Sequence, residues 1–124
     1  MGTEGNGSLG NGSLDQSTSD VLELCDQYRA LNDLRIDIDR RLMALPEADH
    51  GRDILWQELE DVLARLSGLA AQLAATSSTR PAAVRAKAVV LALMLRAAES
   101  DPATIGPETA ALALSLADEV AGLA

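Results

Sequence analysis

The 124-residue chain has no phenylalanine and only one tryptophan, one tyrosine, one cysteine, one histidine and one lysine. Each shortage closes off a class of answer. With aromatic and β-branched residues scarce, little of the chain suits a pleated sheet. Cys25 has no second cysteine for an intramolecular disulfide, and no second histidine or cysteine stands with His50 to make a zinc site. No nucleophile elbow, phosphate-cradling glycine loop, Cys-x-x-Cys pair or metalloprotease helix occurs, so no catalytic residue, cofactor or metal is assigned. The longest purely apolar run, Ala88 to Leu95, is eight residues, far below the roughly 20 that span a bilayer. No secretory signal is visible either, and a cytoplasmic protein is expected.

What is abundant is Leu and Ala, both strong helix formers. Between Leu55 and Leu73 the apolar residues fall at Leu55, Leu59, Val62, Leu66, Leu69 and Leu73. Steps of four and three return a side chain to one face of a helix, so this is a single apolar stripe. The rhythm recurs at Leu24, Tyr28, Leu31, Arg35, Ile38, Leu42 and Leu45, and again at Val84, Ala88, Leu91, Leu95 and Ala98. A shorter set follows at Leu112, Leu116, Val120 and Leu123. Trp56, Leu63 and Ala70 add a second row to the second helix, which therefore needs more than one neighbour.

Punctuation sets the boundaries. Residues 5–14 repeat Gly-Asn-Gly-Ser-Leu twice, and residues 1–18 read as a disordered Gly/Ser/Asn-rich tail that cannot repay its ordering entropy. Asp20 followed by Glu23 resembles a capping box, starting a helix over about 19–45 that stops before Pro46. Helices are expected over about 53–75, over 79–99 (opened by Thr79 and Pro81) and over 107–123. The fold class is all-α: an antiparallel bundle of three long helices and one shorter C-terminal helix, occupying residues 19–124. Short connections predict that consecutive helices are antiparallel neighbours. A competing arrangement leaves the first two as a protruding hairpin, with the others packed across its base or against a second copy. The third helix, apolar nearly all round from Val89 to Leu95, is expected to be the most buried.

The net charge of −9 argues against generic nucleic-acid binding, which depends on neutralising phosphates. Its distribution is uneven. Residues 1–79 sum to −8, residues 80–98 to +4 and residues 99–124 to −5. The basic third helix, with Arg80, Arg85, Lys87 and Arg96, reads as internal charge complementarity between acidic neighbours. Arg85 and Arg96 share a face, while Lys87 is turned well away from it. Arg35 interrupts the first stripe, and its stem is expected along the core edge with the guanidinium reaching Asp39 or an acid of the next helix.

The remaining candidates have plain readings. His50, amid Glu47, Asp49 and Asp53, is a turn histidine, and Cys25, beside the main stripe, packs as a small hydrophobe. Asp33, Asp37 and Asp39 lie among Arg29, Arg40 and Arg41 on a solvated face, with opposite charges at helical reach. Trp56 has two readings, a cap on the end of the bundle core near the first turn or the best single anchor for an interface, with Arg80, Arg85 and Arg96 as further interface residues.

The string Ser77-Ser78-Thr79-Arg80-Pro81-Ala82-Ala83-Val84-Arg85-Ala86-Lys87-Ala88 resembles an element of small helical proteins of GC-rich bacteria, in which a Thr/Pro-started helix with an Arg-Ala-Lys-Ala core follows a long helix. The resemblance covers residues 40–120 and implies a bacterial helical protein without implying an activity. A non-enzymatic protein acting by protein–protein contact, as a homo-oligomer or accessory subunit, is the expected function. The alternative is a small regulator touching nucleic acid through the third helix.

Overall fold

The stripe on the second helix determines how the molecule is assembled, because five of its six residues (Leu59, Val62, Leu66, Leu69 and Leu73) are buried and the sixth, Leu55, is half-buried. A computed structural model describes residues 9–100 and 106–123. Its four helices are α1 (Leu9–Ala44), α2 (Gly51–Ala75), α3 (Pro81–Ser100) and α4 (Pro107–Leu123). The bundle is all-α, as expected, with three long helices and a shorter last one.

α1 starts upstream of the expected position at Ser19 or Asp20, and Asp20–Glu23 is not a cap. Asp20 instead accepts a hydrogen bond from Gln16 Nε2 one turn earlier, at 2.8 Å. Thr18 Oγ1 lies 3.1 Å from Ser78 Oγ, a tertiary partner that the local sequence does not announce. Of the stretch expected to be a tail, residues 1–8 lie outside the described residues. At its other end, α1 is capped by the next helix. Arg52 Nη1 donates to the carbonyl oxygens of Leu42 (2.6 Å) and Leu45 (3.1 Å), two of the acceptors that a helix C-terminus leaves open.

Neighbours in space are α1 with α2, α2 with α4, α4 with α3, and α3 with α1. Chain direction alternates. The start of α1 (Asp20, Glu23, Leu24) borders the end of α2 (Gln72, Thr76), and Thr18 marks the level at which α3 begins. α4 begins beside Ser67 of α2 and ends with Glu119 beside Ser78. The expectation that every consecutive pair packs side by side therefore fails at one place: α2 and α3 lie across the diagonal. The two neighbours of α2 are α1 and α4, and α4 meets it at Ser67, Ala71 and Ala74; of the second apolar row only Ala70 is buried, while Trp56 and Leu63 are exposed.

α3 also departs from the expected phase. Its buried residues are Ala83, Val84, Lys87, Val90 and Ala98, while Ala88, Val89 and Leu95 are exposed. It is not an all-round buried helix; its core face is turned by about one residue from the predicted stripe. In α4 the same shift buries Glu119 and leaves Val120 53% exposed.

Candidate functional site

The shifted stripes bring one cation and one carboxylate into the core. Lys87 is 0% exposed, and its Nζ lies 2.7 Å from Glu119 Oε2 and 3.2 Å from Ser115 Oγ. The same Oε2 accepts the Ser78 amide at 3.0 Å, and Ser78 Oγ accepts the Arg80 amide at 3.3 Å. Thr18, Ser78, Lys87, Ser115 and Glu119 thus form a polar network joining α1, the α2–α3 connection, α3 and α4. Glu119 Oε1 is buried without a hydrogen-bond partner among the described residues.

A serine hydroxyl beside a lysine amine could serve as nucleophile and base if the amine were neutral and a substrate could reach it. Access is lacking: Lys87 has no exposed surface, and its Nζ is already engaged by the Glu119 carboxylate at 2.7 Å. The network therefore specifies packing rather than chemistry. Sequence reasoning missed it because Lys87 and Glu119 look like surface residues singly. The readable signal was the pair: each holds a stripe position, with opposite sign, on adjacent helices.

Cys25 is buried, and burial pushes its thiol from 9.0 up to about 11. Lys87 and Arg29 pull it down less than burial lifts it, and Asp26 adds to the rise. A thiol held so firmly is a packing residue, as expected. His50 is exposed in the turn at the N-cap of α2 and makes no side-chain capping bond. Among the described residues no group of three or more His, Cys, Asp or Glu is placed to hold a metal ion.

The interface candidates separate. Trp56 and Arg96 meet at a groove of about 580 Å³ between α1, α2 and α3, lined also by Ile36, Leu63, Leu93 and Asp39. No described residue of α4 lines it; the first turn of α4, at Glu108 and Thr109, lies alongside Leu63, Leu66 and Ser67. Trp56 is 49% exposed there. Arg80 and Arg85 are exposed near the opposite end of α3 and do not join it. Within the groove wall Arg35 is occupied: Nε and Nη2 donate to Asn32 Oδ1, each at 3.1 Å, and Nη1 meets Asp39 at 3.3 Å. This is the edge-of-core arrangement expected for it. Arg96 has no carboxylate within 4.0 Å among the described residues. Asn32, Arg35, Leu63 and Ala97 also line a smaller interior cavity of about 110 Å³ with Tyr28, Glu108 and Thr109, so the groove leads toward the bundle centre.

On the opposite outer side, Arg41 pairs with Asp37 at 3.0 Å along the solvated face of α1. No described helix is long and apolar enough to cross a membrane. No protein-family model, curated protein or solved structure matches the chain.

Proposed function

We propose that the protein is a non-enzymatic, cytoplasmic interaction module that receives an amphipathic helical segment of a protein partner in the Trp56–Arg96 groove. The observation that carries this reading is the convergence of a half-exposed tryptophan and an arginine, without a carboxylate partner among the described residues, on an apolar groove that three helices line and no described residue of α4 enters. A helix laid there would continue the layer begun by α4, using apolar side chains against Trp56, Ile36, Leu63 and Leu93. Its carboxylate would meet Arg96, which fixes the sign of the partner's charge. Tryptophan and arginine are the residue types that most often dominate interfaces.

The nucleic-acid alternative draws less support. Lys87, one of four cations in the basic run, is consumed by Glu119 in the core.

Because Trp56 is the sole tryptophan, its emission reports directly on the groove. Selection of displayed helical peptides against the folded protein, counter-selected on Trp56→Ala, is expected to enrich apolar residues at three- and four-residue steps beside Asp or Glu. Binding of the selected peptides should shift Trp56 emission and be lost in Arg96→Glu. Peptides that bind without moving the emission, or no enrichment at all, would overturn the reading.

A further inference from the structure

The charges on α3 are placed against the helix's own dipole. A helix carries partial positive charge at its N-terminus and partial negative charge at its C-terminus, so acids belong in the first turn and bases in the last. α3 has no acid in its first turn and no base in its last. Arg80 and Arg85 stand at its start, and Glu99 stands at its end with Arg96 one turn before it, all exposed. Arg80, Arg85 and Arg96 have no carboxylate within 4.0 Å among the described residues. Among those residues, the internal complementarity expected for this whole helix is seen at Lys87.

Beside α3, the outer side of α4 has no partner helix among the described residues. Ala110, Ala113, Leu114, Ala117, Val120 and Ala121 are all exposed, with Leu114 at 69%. Their three- and four-residue spacing makes one face, and its alanines allow a second helix to approach closely. Ala88 and Leu95, seven residues apart on one face of α3, are exposed as well.

From these observations we infer that the outer α3–α4 layer docks a second copy of this chain, antiparallel, about a two-fold axis. Antiparallel docking sets the doubly positive Arg80–Arg85 end of α3 against the end of its copy where Arg96 and Glu99 offset each other and the helix dipole is negative. Charge partition favours the same layer: residues 80–124 carry −1, whereas residues 1–79 carry −8. Docking through the α1–α2 layer would instead oppose two strongly acidic surfaces. α4 is about 25 Å long at 1.5 Å per residue, and two packed helices are about 20 Å wide. That gives about 500 Å² per copy, at the lower bound for a specific interface, so the dimer is expected to dissociate on dilution. This inference does not depend on the Trp56 groove, which no described residue of α4 lines.

Sedimentation equilibrium of the full chain over low to high micromolar concentration tests it. A monomer–dimer equilibrium is expected. Leu114→Lys, at an exposed position that leaves the core intact, should weaken it at least tenfold while the circular dichroism melt is unchanged. Arg85→Glu should weaken it several-fold, and adding Glu99→Arg should restore it, because the reversal recreates the antiparallel pairing. A monomer throughout the range, a dimer indifferent to Leu114→Lys, or a double reversal that fails to rescue would each overturn the inference. None of these outcomes alters Trp56 emission, so the groove is judged separately.

Discussion

Lys87 and Glu119 form an ion pair between α3 and α4, 2.7 Å apart, with the lysine side chain wholly buried and the glutamate nearly so. Two charges taken out of water cost more than one hydrogen bond returns, and the pair is tolerable only because each partner neutralises the other. Removing one partner is therefore worse than removing both. Lys87→Met or Glu119→Leu alone is expected to lower stability by about 3–5 kcal/mol, whereas the double substitution should recover most of that loss. Urea denaturation of the three variants decides it; additive losses would count against a coupled pair.

Cys25 gives the chain an alkaline limit. The folded state holds the thiol proton more tightly than the unfolded chain, with the folded value near 11 against 9.0. Its contribution is thus complete below pH 9 and is lost as pH climbs toward 11. Cys25→Ala should flatten the decline of stability across that window, by on the order of 2 kcal/mol at its upper end. Some slope should persist, because burial also raises Tyr28. Identical pH profiles for the two proteins would refute the assignment.

Arg52 ties the α1–α2 turn. Its two bonds to the Leu42 and Leu45 carbonyls should make Arg52→Ala cost about 1–2 kcal/mol. Hydrogen exchange should speed up around residues 42–53 while the Lys87 end of the bundle stays protected. Uniform acceleration would indicate a global rather than a local effect.

Gly68 lies within α2, and a Cβ built there meets nothing within 4 Å. Glycine in a helix interior costs backbone entropy without return at this site. Gly68→Ala should therefore stabilise by about 0.5–1 kcal/mol, read as a higher melting temperature. A lower one would mean that the face at Gly68 accommodates something that alanine obstructs.

The legible parts of this fold are those where polarity marks a phase. In α2, charged residues flank the stripe, so Leu59 through Leu73 could be placed correctly from spacing alone. α3 offers no such contrast. Ala82, Ala88 and Ala92 are equally compatible with inside and outside, and Val84–Ala88–Leu91–Leu95 outscores a face that contains a lysine. Hydrophobicity thus rejected Lys87 from the core for the reason that makes it informative there. Trp56 stands out in the sequence by its rarity, but its meeting with Arg96 depends on how α1, α2 and α3 pack together, which periodicity does not encode. Arg35 was placed correctly because its partners Asn32 and Asp39 are on its own helix.

The diagonal placement of α2 and α3 has a consequence in time. The α1–α2 hairpin closes through short-range contacts, but Thr18 reaches Ser78 across 60 positions and Ser78 reaches Glu119 across 41. Large loops must be closed before those contacts stabilise anything, so they belong late on the folding route. Loss of the Lys87–Glu119 pair should then appear mainly as faster unfolding, with the refolding rate little changed. The same pair that selects the register of α4 thereby sets how long the assembled molecule lasts.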